Sequence, residues 1–238
     1  MGLPADTPRT PDLRRQARPV HSLGDPARRW HRPRTRVDRN HLGRLPRSQA
    51  HAILAADFFE TVTVTGARLY ILAVIEHSTR RIRVLSATAH PTAAWVTQAA
   101  RNLAMDLNDA GSTARYLIRD RDGKYPALFD AILTDAGITV VRSGIRVPRM
   151  NAIMERWVRT CRRELLDRTL IYNERHILHA LRAYEAFYNA HRPHQGIANA
   201  RPLQPLPEPI TDPDQLARLT IHRRDRLGGI LHEYHHAA

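Results

Sequence analysis

Residues 52–59 read Ala-Ile-Leu-Ala-Ala-Asp-Phe-Phe, an apolar run broken by a single carboxylate at Asp57. An uninterrupted run of this kind predicts a central strand that is covered on both faces. Burying an ionised carboxylate without a partner is strongly unfavourable. We therefore expect Asp57 to be protonated, to be paired with another group, or to bind a cation.

Strands and helices are predicted to alternate around this run, which indicates an α/β fold. The predicted elements, in order, are strands at 52–59, 70–75 and 81–85, a helix from about Thr92 to Gly111, a strand at 116–118, a helix from Pro126 to about Ala136, a strand at 138–141 and a helix that contains Glu155. Apolar periodicity predicts the buried side of the first two helices. These inward side chains are Trp95, Ala99, Leu103 and Leu107, followed by Leu128, Phe129, Ile132 and Leu133.

Two further acids stand at the ends or faces of these elements. Asp120 follows the strand at 116–118, and Glu155 lies in the last of the predicted helices. The core face of that helix is formed by Met154, Trp157, Val158, Cys161 and Leu165. Its opposite face carries Asn151, Glu155, Arg159 and Arg162 at helical spacing. A carboxylate among arginine side chains is the arrangement expected of a cation site beside a phosphate-binding surface.

Each acid also has an ordinary structural explanation. Asp120 can cap a turn, and Glu155 can pair with Arg159 one helical turn away. Asp122 competes with Asp120 as a site residue, because residues two apart on a strand share a face. Glu76 at the end of the second strand is expected to cap a turn. Only the joint occurrence of the three acids favours a functional site.

The order of elements and acids is that of the RNase H-like fold, and four motifs resemble the catalytic core of integrases and insertion-sequence transposases. The motifs are Asp57-Phe58-Phe59, Asp120 followed by Asp122 and Tyr125, Asn-Ala-Ile-Met-Glu-Arg at 151–156, and Tyr-Asn-Ala-His-Arg-Pro-His-Gln at 188–195. Asp120 and Glu155 are 35 positions apart, close to the family's second interval. The resemblance covers residues 48–205 and implies a five-stranded mixed sheet with flanking helices. Tyr125 matches the family's aromatic residue five positions beyond the second acid, which favours Asp120 over Asp122.

The resemblance implies a DDE-type polynucleotidyl transferase that cleaves and joins DNA strands in integration or transposition. Asp57, Asp120 and Glu155 would be both the catalytic residues and the ligands of two Mg²⁺ or Mn²⁺ ions per active site. Asp57 would bridge the two ions. The DNA would be contacted by Arg156, Arg159, Arg162 and Arg192. A homo-oligomer on DNA is expected, whereas a membrane partner and an organic small-molecule cofactor are not.

Composition is consistent with a nucleic-acid partner. The chain has 37 Lys plus Arg against 23 Asp plus Glu, a formal net charge of +14, and its sequence pI is about 11.2. A field of that sign attracts polyanions and makes binding sensitive to salt. Lys124 is the only lysine, so the arginine content could also reflect a GC-rich coding sequence.

Residues 1–47 are predicted to form a disordered basic arm. The first fifty residues contain 12 Arg, 7 Pro and 4 Asp, with scarcely any apolar periodicity. Complete transposases usually carry a helix-turn-helix region here, and no pair of amphipathic helices precedes His51. A functional basic arm and a truncated copy of a transposase remain alternatives. With no apolar signal region and no span of membrane length, we expect a cytoplasmic protein of a bacterial-type cell, associated with the nucleoid when bound to DNA.

The remaining chain is predicted to divide into a catalytic core at 48–200, a proline-rich linker at 201–215 and a hairpin segment at 216–238. The hairpin could pack on the core, on DNA or on a second subunit. Cys161 is expected to be inert packing. His191 and His194 have a spacing seen in metal sites, but the resemblance favours a structural or DNA-facing segment there, and zinc is not expected.

Two other functions stay open at this point. One is a divalent-metal nuclease that hydrolyses DNA without joining it. The other is a non-catalytic DNA-binding remnant of a transposase, which could inhibit full-length relatives by entering their assembly.

Overall fold

A five-stranded mixed sheet forms the centre of the computed structural model, which describes residues 47–143 and 151–236. Its strands are β1 (Ile53–Val62), β2 (Arg68–Glu76), β3 (Ile82–Thr88), β4 (Tyr116–Arg119) and β5 (Thr139–Arg142). The spatial order is β3-β2-β1-β4-β5. The pairs β1–β2 and β2–β3 are antiparallel, whereas β1–β4 and β4–β5 are parallel. This is the RNase H-like arrangement, and it confirms the predicted fold class.

Helices cover both faces of the sheet because β1 buries alternate side chains on each side. The helices are α1 (Ala93–Asp109), α2 (Ala127–Asp135), α3 (Ala152–Glu164) and α4 (Glu174–His191). Leu54 and Ala56 pack in a core with α1 and α2, while Ile53, Ala55 and Phe59 pack in a second core with α3 and α4. The continuous apolar run of β1 is therefore explained by burial on both faces.

Local capping sets where two of the helices begin. The Thr92 side chain accepts a hydrogen bond from the Trp95 amide before α1, and the Asn173 side chain accepts one from the His176 amide before α4. Glu76 accepts hydrogen bonds from Thr79 and Arg83, which confirms its expected role at a turn.

No helix in the described part of the chain is both long and apolar enough to cross a membrane.

Two predicted side-chain positions are wrong. Leu128 was expected to face inward, but it is 50% exposed, because the nine-residue α2 buries only the stripe of Phe129 and Leu133. Asn151 was expected opposite the core, but it is buried. It precedes the first residue of α3 and has φ −108°, so the helical periodicity used to place it does not apply there.

The C-terminal hairpin is present and packs on the core. It consists of β6 (Ile221–Arg226) and β7 (Leu231–His236), paired antiparallel, with Gly228 at φ 65° and Gly229 at φ 91° in the turn. Leu231 is buried in the same core as α3 and α4. A short helix, α5 (Pro213–Ala217), spans the boundary between the predicted linker at 201–215 and the predicted hairpin segment at 216–238. Residues 1–46 of the predicted basic arm lie outside the described residues.

Asn189 on α4 replaces a missing strand partner at the start of β3. Its side chain accepts a hydrogen bond from the Ile82 amide and donates one to the Ile82 carbonyl, both at 2.9 Å. We predict that Asn189→Ala lowers the free energy of unfolding by about 2–4 kcal/mol, because both groups of Ile82 lose their partner in a buried place. Urea denaturation measures the change. The matched control is Asn108→Ala at the exposed end of α1, and an equal effect of both substitutions would contradict the explanation.

Candidate active site

The pairing of β1 with β4 places Asp57 and Asp120 side by side. The last pair in the parallel register is Ala55 with Ile118, and each aspartate lies two positions beyond it. Because side chains two apart on a strand share a face, Asp57 lies on the face of β1 that packs against α3 and α4, and Asp120 directly follows the last residue of β4. Neighbouring strands are separated by about 4.8 Å. Two carboxyl groups far apart in the sequence thus meet at one edge of the sheet.

Glu155 approaches the same region from the first turn of α3. Its neighbours Met154 and Trp157 are buried against the sheet, and Glu155 itself is exposed. Glu155 forms no ion pair within 4.0 Å among the described residues, so the alternative pairing with Arg159 is not observed there. The carboxylate is therefore available to a ligand.

The electrostatics of Asp57 show that the acids act on one another. The pKa of Asp57 is raised from 3.8 to about 7, mainly by burial and then by the charge of Asp120, with smaller effects of Glu155 and Asp122. A hydrogen bond from the Phe58 backbone opposes these effects. These surroundings favour binding of either a proton or a cation by the Asp57 carboxylate.

The three acids do not form a tight cluster. Among the residues that the structure describes, the one group of three His, Cys, Asp or Glu with all ligand atoms within 4.8 Å of one another is His191, Glu233 and His235. To share an ion with the aspartates, the exposed Glu155 side chain has to turn toward them.

Asp122 is committed to the turn that follows β4. Its carboxylate accepts the Lys124 amide at 2.9 Å and the Lys124 ammonium at 2.6 Å. Burial raises the pKa of Asp122, but these hydrogen bonds outweigh burial and lower it overall. Among the described residues, the Asp120 carboxylate accepts one hydrogen bond, from the Asp122 amide at 3.1 Å. This difference favours Asp120 as the residue that is free to bind a ligand.

Arg119 holds the strand end that carries Asp120. Its guanidinium donates to both carboxylate oxygens of Asp130 at 2.9 and 2.8 Å and to the Asp120 carbonyl at 2.9 Å. It also lies 4.6 Å from the centre of the Tyr125 ring. The sequence analysis missed this residue, although an arginine at the end of a buried strand is a signal that a buried partner exists.

Tyr125 faces the acids with a hydroxyl that lacks a partner. The side chain is buried, and its oxygen has no hydrogen bond among the described residues. Burial raises the pKa of Tyr125 well above its usual value, and the charges of Asp57 and Asp120 raise it further. An unsatisfied hydroxyl beside two carboxylates marks a place where a further polar group belongs.

The four arginines predicted to contact DNA fall into two classes. Arg156 and Arg159 are exposed on α3. Arg162 donates to the Glu60 carbonyl at 2.8 Å, and Arg192 pairs with Glu164 at 2.6 Å. The first two are free to meet a polyanion, while the second two already stabilise the fold.

Several further basic side chains were not singled out from the sequence. A cleft of about 340 Å³ is lined by Arg119, Arg121, Asp122, Gly123, Tyr125 and Arg142. Arg80 has φ 66°, and its Nη1 is buried without a partner among the described residues. Burial lowers the pKa of Arg80, Tyr188 opposes this effect, and Arg156 adds to it. No local pattern distinguishes Arg80, because it stands in an ordinary turn between β2 and β3.

The donor set fits hard divalent cations. Asp57, Asp120 and Glu155 offer carboxylate oxygens, and the unsatisfied Tyr125 hydroxyl lies near two of them. Oxygen ligands suit Mg²⁺ and Mn²⁺. Cys161 is buried on the core face of α3, and burial raises its pKa, so it stays an inert thiol as expected.

Residues 136–202 match the family model described as "Integrase core domain", which confirms the resemblance over that part of the chain. No curated protein shows a significant match. Among solved structures, the catalytic core domain of BIV integrase is 17% identical, with coverage of 64% of this chain and 91% of that chain and a TM-score of 0.45. A simian T-cell lymphotropic virus intasome in complex with PP2A regulatory subunit B56 gamma is 14% identical, with coverage of 79% and 67% and a TM-score of 0.49.

The raised pKa of Asp57 predicts a specific dependence of stability on pH. In the folded protein the group titrates near 7, above its value of 3.8 in the unfolded chain. The folded state therefore binds more protons between these values, and the stability contributed by Asp57 falls as pH rises from about 4 to about 7. In metal-free protein, Asp57→Asn removes this loss. We expect the difference in free energy of unfolding between Asp57→Asn and the native protein to shift in favour of the variant by on the order of 2 kcal/mol between pH 5 and pH 8.

Denaturation in EDTA at the two pH values measures this difference. Asp109→Asn, at the exposed end of α1, is the control and should show no comparable change. An Asp57→Asn protein that is less stable than the native protein at pH 8 would show that the carboxylate is structural.

Proposed function

We propose that this chain is a catalytic core that cleaves DNA strands and transfers them to new sites with the help of divalent metal ions. The observation that carries the proposal is the β1–β4 register, which brings Asp57 beside Asp120 on the face covered by Glu155's helix. The match of residues 136–202 to integrase core domains supports the same reaction class.

Three carboxylates would hold two Mg²⁺ or Mn²⁺ ions. Burial and the neighbouring acids raise the pKa of Asp57, and Asp57 would hold both ions because bound cations would offset this unfavourable charge. Asp120 and Glu155 would each hold one ion. When bound, the ions activate the attacking oxygen and stabilise the leaving oxygen at a DNA phosphate. Arg119 would keep Asp120 in position through its bond to the Asp120 carbonyl.

The DNA backbone would lie along the exposed arginine side chains near the three acids. Arg156 and Arg159 are exposed on α3, the helix that carries Glu155, and Arg121 and Arg142 line the cleft next to Asp122. Arginine suits phosphate because its planar fork can donate two hydrogen bonds. Strand transfer requires two DNA ends held together, so we include a homo-oligomer on DNA in the proposal.

A non-catalytic DNA-binding role is the second candidate, and the loose arrangement of the acids favours it. Their ligand atoms are not all within 4.8 Å of one another. A binding protein needs only the basic surface, whereas a catalyst needs the ions and therefore a closed triad. A metal-dependent nuclease differs from both, because it would release nicked DNA but no joined product.

Charge-removing substitutions test the site directly. We predict that Asp57→Asn, Asp120→Asn and Glu155→Gln each reduce metal-dependent cleavage and joining at least about 100-fold, more than the loss of an outer-shell partner of a metal typically costs. The affinity of the protein for DNA should remain nearly unchanged, because the arginine side chains that would contact the phosphates are still present. Asp122→Asn is the matched control and should retain activity, because Asp122 is held by Lys124.

The assay follows a labelled 3′-hydroxyl DNA end in Mg²⁺ and in Mn²⁺. Joined product supports the proposal, nicks without joining support a nuclease, and salt-sensitive binding without either product supports the DNA-binding role. An active Asp120→Asn together with an inactive Asp122→Asn would reverse the assignment of the second ligand.

A further inference from the structure

A second group of potential metal ligands lies where the C-terminal hairpin meets the end of α4. We propose that His191, Glu233 and His235 form a zinc site that fastens the hairpin to the core. The site shares no residue with the acids described above, and it does not depend on the proposed function.

The fold brings the three side chains together from two elements. His191 is the last residue of α4, and Glu233 and His235 lie two apart on β7, so they share one face of the hairpin. His191 Nε2 is 3.8 Å from Glu233 Oε1, and His235 Nε2 is 3.9 Å from Glu233 Oε2. One ligand atom from each residue lies within 4.8 Å of the other two.

These distances are close to those that a zinc ion imposes. Ligand atoms about 2.1 Å from zinc in a tetrahedron are roughly 3.4 Å apart. The two separations, each to a different oxygen of Glu233, exceed that value by about 0.5 Å or less, and side-chain rotations can bring both imidazoles toward one ion. Two imidazoles and one carboxylate suit zinc better than Mg²⁺, and a water would complete the tetrahedron.

The surroundings indicate why a cation is suited to this place. Glu233 is only 4% exposed, and a buried carboxylate needs a positive partner. Arg226 supplies one in the metal-free protein, with its Nε 3.0 and 3.1 Å from the two carboxylate oxygens. His191 Nδ1 is buried and has no hydrogen-bond partner in the described parts of the chain. The imidazole ring is therefore not committed to a structural hydrogen bond.

Arg226 would act as a competitor of the metal. Its side chain is 42% exposed and can turn toward solvent when zinc neutralises Glu233. Removing the Arg226 guanidinium should therefore strengthen zinc binding, because the Glu233 carboxylate loses its other cation.

A zinc ion here would stabilise a part of the fold that has little apolar anchoring. The residues of β6 are exposed except for the partly buried Arg226, and Leu231 is the one fully buried apolar residue of β7 among those whose burial is described. A two-stranded hairpin alone is marginally stable in water. A metal bond between α4 and β7 would hold the hairpin against the core.

Titration of the metal-free, full-length protein with Zn²⁺ by calorimetry tests the proposal. We expect one Zn²⁺ to bind with micromolar or tighter affinity, and we expect no comparable binding of Mg²⁺ to this site. His191→Gln and His235→Gln should each weaken zinc binding at least 10-fold, whereas Arg226→Gln should strengthen it. His179→Gln, exposed on α4, is the matched control and should bind as the native protein does.

A second measurement reports on the coordination of the metal itself. Co²⁺ in place of zinc should give the visible absorption of a four-coordinate site in the native protein and in His179→Gln, with a loss of that absorption in His191→Gln. Zinc should also raise the melting temperature of the native protein but not of the two ligand variants. A folded native protein that binds no zinc, or binding that is unchanged in both ligand variants, would overturn the proposal.

Discussion

The parallel pairing of β1 with β4 is the constraint on which the rest of the candidate site depends. Only a parallel pair brings the carboxyl ends of two strands to the same edge, and the register of Ala55 with Ile118 then places Asp57 beside Asp120. A slip of one residue in β1 would turn Asp57 toward α1 and α2. It would also move each apolar side chain of β1 to the opposite face of the sheet. The two cores, one on each face of β1, prevent that slip. Packing on both faces of a strand therefore fixes the position of charges at its end.

The charges near this edge separate into those that the fold neutralises and those that it leaves open. Asp130 is paired with Arg119, and Asp122 is paired with Lys124. These acids have structural partners within reach, and their cost of burial is offset. Among the described residues Asp57 has no such ion-pair partner, and burial together with the neighbouring acids raises its pKa to about 7. A carboxylate in these surroundings is a candidate ligand for a cation.

Local patterns predicted the elements well, and they failed where a side chain's surroundings come from elsewhere in the chain. The continuous apolar run of β1 and the apolar stripe of α1 were sufficient, since each describes the burial of one element. Leu128 was misplaced because a short helix buries a narrower stripe than its apolar content suggests. The sequence analysis compared His191 with its near neighbour His194 and expected no zinc. In the structure, His191 instead meets Glu233 and His235 from the hairpin.

The sequence by itself determined the α/β class and the order of the elements, and it predicted Asp57, Asp120 and Glu155 as site residues. Those properties follow from hydrophobic periodicity and from the cost of a carboxylate in an apolar run, both of which act over a few residues. Only the tertiary structure decided which of Asp120 and Asp122 is already held by Lys124, which arginines are free, and where the hairpin packs. These outcomes depend on distances between side chains from different elements, and such distances exist only once the sheet and its helices have packed together.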